Sequence, residues 1–548
     1  MSVNRQRDHS QSNVSLSPSP LPRVGGEATG WRDAMRRLAL FVIVWLLSGC
    51  SLLPGWDSVN NPDKGNTTTA SQVIGKAATQ DEMFIGVAIS GGGSRAANFG
   101  AGVLFELDRL GILERADVIS SVSGGSIAAA YYALHGVRGI SFDRRRIDER
   151  FARDFQWRWI GRWFDPRNIA RYWTTAFDRS DIMYQVFEAN LFHGATFNDL
   201  SRRPSPRPNL LINASNFVSG RKFVFSNESF ERRGSDLASY PVARAVMASG
   251  AFPGAFANVT LQDYKSSQAN ARDQYDHLFD GGPIDNLGVG TIIKTLQKHV
   301  EPYWDKAADP LSTSGFPRGC LIISIDAYTE GVGPDPRKGE VGSADLADTR
   351  PWHGFIVDTN AIEAMDSLLA VKRNEVLHEM GLDRENDDVF GSFPLFGLNL
   401  DDDEEGAPTL RLLDKLKKDR PLGPSMPEQS ARRAALNTAA YCHVWHIGIA
   451  QMPTRDCALG RRVNRIGTWY RIKKEDQCGL FETARTLVRT MWAIPELQQW
   501  VQGALPTYEP IPGAPLTMTD KLRKLNCEEP EVEVRDGAGI CRITLSPE

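Results

Sequence analysis

The sequence predicts an α/β protein with a parallel sheet, and two stretches near residue 100 carry that prediction. The apolar run "MFIGVAIS" at 83–90 contains β-branched residues and is followed by three glycines, which is typical of a buried strand. Apolar residues at helical spacing come next, and "DVISSVS" at 117–123 then leads into an alanine-rich helical stretch. Strand, helix, strand and helix form a βαβ unit, which places a ligand site at the carboxyl ends of its strands.

Further elements are expected along the chain. Strands are predicted at "NLLINASNF", "RKFVFSN", "HLFDGG", "CLIISIDAY" and "HVWHIGIAQ". Helices are predicted at "YPVARAVMASGAF", "NAIEAMDSLLAVKRNEVLHEM" and "ETARTLVRTMWAI". The pattern weakens between 331 and 440, which we interpret as an insertion or cap, and residues 441–548 are expected to complete the α/β fold.

Composition limits the class of protein. A chain of 548 residues exceeds one compact core, so we expect two domains or one domain enlarged by insertions. With 41% hydrophobic and 24% charged residues the chain is typical of globular proteins. The net charge of −4 argues against a nucleic-acid binder that relies on overall electrostatics.

A secretory signal is predicted at residues 35–49. Met35 is followed by two arginines, an apolar run at 38–47 that is too short to span a bilayer, and then "SGC" ending at Cys50. The segment "LSGC" resembles the bacterial lipoprotein box, in which the chain is cut before a lipidated cysteine. Residues 1–34, rich in serine, proline and arginine, are expected to be disordered or untranslated, with translation starting at Met35.

The lipoprotein resemblance implies that acyl chains on Cys50 anchor the protein to the bacterial cell envelope. Ser51 after the cysteine implies sorting to the outer membrane, and residues 50–80 are polar and turn-rich, which suits a tether. The alternative is a short buried or anchoring helix with an incidental cysteine.

The remaining six cysteines are an even number, so disulfides are expected in an oxidising compartment, with their connectivity open. Cys442 lies beside His443 and His446, but the three sit in an apolar run where a core strand is favoured over a metal site. We therefore expect no metal site here.

Three short stretches at predicted strand ends carry candidate chemistry. The glycine stretch at 91–95 ("GGGSR") leaves backbone N–H groups uncovered, which suits a phosphate or the oxyanion of an acyl-transfer intermediate. Dinucleotide binding is disfavoured because Ala96 occupies the third glycine position and no acidic residue ends the next strand. The second stretch is the serine elbow at 121–125 ("SVSGG"), and the third is the aspartate turn at 280–282 ("DGG").

Ser123 is the candidate nucleophile. The serine elbow follows the G-x-S-x-G pattern with Ser121 in place of the first glycine, and only small neighbours allow strand and helix to approach so closely. Serine needs a base, which Asp280 offers, although an isolated Asp-Gly-Gly is more often a surface turn. None of the nine histidines stands in an evident catalytic context.

Taken together, "GGGSR", "SVSGGS" and "DGG" in this order resemble the patatin-like phospholipase family. The blocks "INASNFVSGRKFVFS" and "YPVARAVMASGAFPGAF" are also similar to that family, and the resemblance covers about residues 83–290. It implies a patatin-like catalytic core at 81–330, a parallel sheet flanked by helices, with a helical or irregular insertion and a C-terminal extension.

The resemblance implies a role for each candidate residue. Ser123 is the nucleophile and Asp280 the general base of a Ser-Asp dyad that needs no catalytic histidine, cofactor or metal. Backbone N–H groups form the oxyanion hole, at Gly91, Gly92, Gly93 and Gly124. Further residues support the loops of the site: Arg95, Gly125, Gly281, Gly282 and Asn286.

The expected function is a lipid acyl hydrolase of the phospholipase A or lysophospholipase type, which cleaves carboxylic esters of phospholipids or other acyl esters through an acyl-serine. One alternative is an esterase with a Ser-His-Asp triad, which would combine Ser123 with Asp280 or Asp326 and with His353 or His446. The other alternative is a non-catalytic lipoprotein that uses the fold as a binding platform.

Overall fold

A nine-stranded mixed sheet forms the centre of the structure, a computed structural model. The described residues are 60–63, 82–202, 208–265, 275–303, 310–329, 359–382, 389–395, 441–454, 457–503, 531–536 and 539–544. The predicted signal segment at 35–49, Cys50 and most of the tether lie outside them, as do His353 and most of the range 331–440.

The described strands and helices are interspersed along the chain, with several helices in succession between β2 and β3. The strands are β1 (Phe84–Ile89), β2 (Val118–Val122), β3 (Asn209–Asn216), β4 (Arg221–Phe225), β5 (Val259–Gln262), β6 (Tyr275–Asp280), β7 (Cys320–Asp326), β8 (Phe390–Pro394), β9 (Tyr441–Gly448), β10 (Glu531–Asp536) and β11 (Gly539–Thr544). The helices before β5 are α1 (Gly93–Arg109), α2 (Gly124–Ala133), α3 (Arg144–Phe151), α4 (Phe155–Trp163), α5 (Pro166–Thr174), α6 (Arg179–Phe187), α7 (Asn227–Arg232) and α8 (Val242–Ser249). The later helices are α9 (Gly282–Asp285), α10 (Val289–Val300), α11 (Pro310–Thr313), α12 (Thr359–Glu379), α13 (Ala458–Val463), α14 (Lys474–Trp492) and α15 (Pro495–Gln502).

The parallel sheet expected from the sequence occupies the centre, and antiparallel strands extend it on both sides. The order is β5-β6-β3-β2-β1-β7-β9-β8, with β4 also paired to β3. The five strands from β3 to β9 in this order run parallel, whereas β4 and β6 on β3, β5 on β6 and β8 on β9 run antiparallel. The predicted α/β class is thereby confirmed, and β5 and β8 are strands that the sequence analysis did not identify.

Both faces of the central sheet are covered. Along β1, Ile85, Val87 and Ile89 belong to one apolar cluster, while Phe84 and Ala88 belong to a second cluster on the opposite face. Helices α1, α2 and α14 contribute to the first cluster and α10 to the second. A strand that is buried on both faces has a continuous apolar sequence, which explains why β1 and β7 could be predicted from the sequence.

Disulfides join elements of the C-terminal half. Cys320 and Cys442 are direct register partners on the parallel strands β7 and β9, with Cα atoms 4.7 Å apart, and form a disulfide. Cys457, before α13, and Cys478, on α14, are each disulfide-bonded as well. Within the described ranges, no helix combines the length and apolarity that crossing a bilayer would require.

Candidate active site

Ser123 lies in the sharp turn between β2 and α2. Its backbone has φ 50° and ψ −125°, a conformation that non-glycine residues rarely adopt and that marks a strained turn. The Ser123 amide donates a hydrogen bond of 2.8 Å to Ser249 Oγ, which holds the turn from the end of α8. Because α2 begins at Gly124, the positive end of the helix dipole lies next to the serine.

The two glycines after Ser123 are required by close packing. A Cβ atom on Gly124 would lie 2.1 Å from the carbonyl oxygen of Gly93, and one on Gly125 would lie 2.5 Å from that of Ser90. The serine elbow is thus pressed against the end of β1 and the start of α1. This contact gives the physical reason for the small residues that the sequence shows on the C-terminal side of the serine.

Asp280 ends β6 and contacts Ser123 directly. The Ser123 hydroxyl donates to Asp280 Oδ2 at 2.6 Å, and the Gly282 amide donates to the other carboxylate oxygen at 2.8 Å. The register pairs Asp280 with Ala214 of β3, and the Asp280 side chain is buried. Two residues 157 positions apart in sequence are therefore brought together across β3, which pairs in parallel with β2 and antiparallel with β6.

The glycine stretch is partly helical. Gly92 and Gly93 have φ values of 135° and 56°, and α1 begins at Gly93, so Arg95 belongs to the first helical turn rather than to a loop. Gly91 differs from what the resemblance implies, because its N–H donates to the Asn286 carbonyl at 3.1 Å and is not available to an oxyanion. Gly93 and Gly124 start their helices, where backbone N–H groups have no acceptor within the helix.

The supporting residues tie the glycine stretch to its surroundings. Arg95 is buried, and its Nη1 donates to Thr329 Oγ1 at 3.1 Å and to the Ile466 carbonyl at 2.6 Å. The Asn286 side chain lies between Gly91 and Gly282, because a Cβ on either glycine would approach its Oδ1 within 3.2 Å. Gly281 packs against the Asn213 carbonyl, which a Cβ there would approach to 2.6 Å. These residues thus lie in the segments that surround Ser123 and Asp280.

An apolar pocket opens beside Ser123. It holds about 590 Å³ of empty space, part of it open to solvent. Gly93 and Ser123 lie in its wall with a set of large side chains: Trp159, Met183, Phe252, Phe256, Trp469 and Tyr470. Such a wall can bury a long apolar group while an attached ester reaches the serine.

Tyr470 and Ser249 are site residues that the sequence analysis missed. The Tyr470 hydroxyl donates to the Gly250 carbonyl at 3.1 Å. Burial raises the pKa of Tyr470 well above its usual value, the Asp280 charge raises it further, and a hydrogen bond with Ser123 lowers it. Tyr470 lies far from the motifs along the chain, whereas Ser249 lies within the block at 240–256, where nothing in the sequence marked it as a site residue.

The histidine alternative is not supported by the geometry. His446 Nε2 lies 3.7 Å from Asp326 Oδ2, and Asp326 is itself bound by Arg373. Burial lowers the pKa of His446 to about 4, although Asp326 opposes this shift. No histidine is among the residues of the pocket wall, and His353 is outside the described ranges. In the part of the chain that the structure describes, no cluster of three or more His, Cys, Asp or Glu side chains could hold a metal.

Comparison with known proteins finds a family model that matches the part of the chain containing these residues. Residues 87–293 match the family model described as patatin-like phospholipase. Among solved structures, the chain is similar to human GIVD cytosolic phospholipase A2, with 12% identity and a TM-score of 0.39 over 78% of this chain and 64% of that one. It is also similar to VipD from Legionella pneumophila, with 11% identity and a TM-score of 0.22 over 76% of each chain.

The chain thus spans less than two thirds of the length of the human phospholipase. No curated protein matches it. The family match begins within β1 and ends within α10, so it includes the glycine stretch, the serine elbow and the aspartate turn. Residues 87–293 of this chain form a patatin-like phospholipase domain.

Proposed function

We propose that the protein is a serine acyl hydrolase that cleaves carboxylic esters of lipids. The family match supports lipid hydrolysis in general. The observation that carries the finer proposal is the 2.6 Å hydrogen bond from the Ser123 hydroxyl to the Asp280 carboxylate beside an apolar pocket. Serine is a weak nucleophile until a base accepts its proton, and Asp280 is in place to do so.

The proposed reaction has two steps. Ser123 Oγ attacks the acyl carbonyl while Asp280 accepts the hydroxyl proton, and the tetrahedral intermediate then collapses as that proton passes to the leaving alcohol oxygen. Water next attacks the acyl-serine, Asp280 accepts a proton from the water, and the proton returns to Ser123 Oγ as the fatty acid leaves. The Gly282 amide holds the carboxylate in a fixed orientation throughout both steps.

The oxyanion is stabilised by backbone groups. In this proposal the N–H groups of Gly92, Gly93 and Gly124 bind the developing negative charge, which lies at the positive end of α2. The Gly91 N–H is occupied and takes no part. Tyr470 stays neutral because its pKa is raised, so its hydroxyl shapes the site without adding charge.

The pocket favours substrates with a long apolar chain. Its large apolar and aromatic side chains remove the acyl chain from water, and each buried methylene contributes about 0.8 kcal/mol. A phospholipase A or lysophospholipase activity fits this pocket.

We further propose that acyl chains on Cys50 hold the enzyme at the outer membrane. The disulfide-bonded cysteines support this location, because disulfides persist outside the cytoplasm.

The dyad is tested by labelling the full chain with a fluorophosphonate and mapping the modified peptide by mass spectrometry. We expect the adduct on Ser123, no adduct or turnover in Ser123→Ala, and a rate about 10² to 10⁴ lower in Asp280→Asn, which keeps the shape but cannot accept the proton.

Matched controls are Ser219→Ala between β3 and β4 and Asp108→Asn on α1, which remove an exposed hydroxyl and an exposed carboxylate away from Ser123 and Asp280. Both should be labelled as fast as the wild type. Undiminished labelling or hydrolysis in Asp280→Asn would contradict the dyad, and a folded wild type without adduct would favour the binding-platform alternative.

A further inference from the structure

Helices α4 and α5 form a short hairpin, residues 155–174, whose composition differs from the rest of the molecule. Its sequence, "FQWRWIGRWFDPRNIARYWT", contains four of the 13 tryptophans of the chain. We call it the aromatic hairpin. Ordinary globular surfaces do not concentrate aromatic residues in this way, so the hairpin needs a physical explanation.

Several of its large apolar side chains face solvent. Trp157 is 48% exposed, Phe164 74%, Ile169 45% and Trp173 81%. The hairpin is nevertheless well formed, because Asp154 accepts from the Trp157 amide at 2.8 Å and Asp165 from the Arg167 amide at 3.0 Å, which caps both helices. These side chains are therefore held on the surface by an ordered scaffold.

The charges of the aromatic hairpin are mostly positive. It contains four arginines, Arg158, Arg162, Arg167 and Arg171, against one aspartate, Asp165. All but Arg162 are exposed. Aromatic side chains among arginines are the composition of helices that lie in a membrane interface, where the rings enter the headgroup layer and the guanidinium groups meet anionic lipids.

The opposite side of the hairpin belongs to the active-site pocket. Gln156 and Trp159 lie in the pocket wall, and the backbone N–H of Gln156 donates to the backbone carbonyl of Tyr470 at 3.1 Å. Trp159 also packs against Phe256, with ring centroids 5.3 Å apart. One helix, α4, therefore carries the pocket wall on one side and the exposed Trp157 on the other, so whatever binds the exposed side lies close to the pocket.

We propose that the aromatic hairpin docks the protein onto anionic lipid bilayers through Trp157, Phe164, Ile169 and Trp173. This inference rests on the proposed function for its purpose, which is to bring membrane lipids to the pocket, but docking itself does not need the dyad. The hairpin is positively charged, and its helix α4 also forms part of the pocket wall. Both features indicate that the partner is a lipid surface.

The test uses the full chain with Cys50→Ser, so that lipid on the cysteine does not contribute, and vesicles of phosphatidylcholine with or without phosphatidylglycerol. Each of Phe164→Ser and Trp173→Ser is expected to lower vesicle binding about tenfold, as the loss of one membrane-buried aromatic side chain predicts. Arg158→Gln with Arg167→Gln should weaken binding only when phosphatidylglycerol is present. Tyr441→Ser, which removes a side chain 51% exposed at the amino end of β9, is the matched control and should bind as the wild type.

Insertion of the hairpin into the bilayer is measured separately from vesicle binding. Brominated phosphatidylcholine quenches tryptophans that enter the acyl region, so Trp157→Phe with Trp173→Phe should lower the quenched fraction, whereas Trp492→Phe on α14 should not. Unchanged quenching and unchanged binding in the hairpin variants would overturn docking. A change in self-association without a change in vesicle binding would also overturn it, and would make the hairpin an interface between copies of the chain.

The experiments distinguish a failure of the docking proposal from a failure of the proposed function. Ser123→Ala should bind vesicles like the wild type, and the hairpin variants should hydrolyse a soluble short-chain ester at the wild-type rate while losing hydrolysis of vesicle lipids. If the hairpin variants lose both activities to the same extent, docking is wrong. If no variant or wild type hydrolyses the soluble ester while the binding pattern holds, the proposed function is wrong and docking stands.

Discussion

Ser249 shows how a residue outside the serine elbow holds Ser123 in place. Its Oγ accepts the Ser123 N–H at 2.8 Å and donates to the Asn213 carbonyl at 2.6 Å. The Asn213 side chain in turn donates to Ser120 Oγ and to the Ser121 carbonyl, and accepts from Thr291. This buried chain of hydrogen bonds links α8, β3 and β2 beneath the strained serine.

Ser249→Ala is predicted to lower kcat about tenfold with little change in KM, because the Ser123 amide loses its acceptor and the elbow loses its orientation. Ser126→Ala is the matched control, since Ser126 Oγ contacts the same Ser249 Oγ at 3.0 Å without touching the Ser123 amide. Steady-state kinetics on a soluble ester measure both variants. Equal losses in the two, or a loss confined to KM, would contradict a positioning role for Ser249.

The site residues that the sequence could predict are those that stand next to characteristic residues in the sequence. Ser123 and Asp280 each sit beside glycines that the packing requires, so short motifs reveal them. Ser249 and Tyr470 reach the site only through the fold, from the end of α8 and from residues before α14. Ser249 lies in a block that resembles the family, but its hydrogen bond to the Ser123 amide could not be read from that block. The Gly91 expectation was wrong for a related reason, since its acceptor Asn286 is distant in sequence.

At the scale of elements, α12 is joined to the sheet by a buried ion pair. Arg373 on α12 binds the carboxylate of Asp326 at the end of β7, and both side chains are buried. Burial would raise the pKa of Asp326, but Arg373 and His446 hold it below its usual value. The same helix places Leu369 against Gly282, next to Asp280, so the ion pair positions an element that contacts the aspartate turn.

Arg373→Met is predicted to lower the free energy of unfolding by about 3–5 kcal/mol, because it leaves a buried carboxylate without its partner. Adding Asp326→Asn should restore much of that loss. Arg485→Met, which breaks a partly exposed pair with Glu482 on α14, should cost less than about 1 kcal/mol. Urea unfolding compares the variants, and similar losses for Arg373→Met and Arg485→Met would contradict the argument.

Elements were predictable where their pattern was unambiguous. The strands of the parallel centre are apolar throughout because both faces are covered, and the helices beside them show regular apolar spacing. By contrast, β5 has four residues, and β8 has five that include a glycine and a proline. Such segments become strands only because β6 and β9 offer them a partner.

At the scale of the whole molecule, the proposed anchor at Cys50 and the hairpin would act on the same membrane. The prediction is that labelled palmitate is incorporated into the wild type expressed in a bacterium and is lost in Cys50→Ser, while Cys541→Ser keeps it. The wild type should fractionate with the outer membrane and the Cys50→Ser variant should not. Label retained in Cys50→Ser would contradict the lipoprotein proposal.

The contacts of α1 with residues 466–470 bear on how this catalytic domain could be exchanged by recombination. The Ser94 amide donates to the Trp469 carbonyl at 2.6 Å, and Arg95 binds the Ile466 carbonyl. A gene segment cut after residue 293 would carry Ser123 and Asp280, but it would leave behind β7, β9 and one wall of the pocket. The family-matched segment is therefore incomplete when it is moved to another protein alone. A transferred segment has to include the C-terminal residues that form part of the pocket wall.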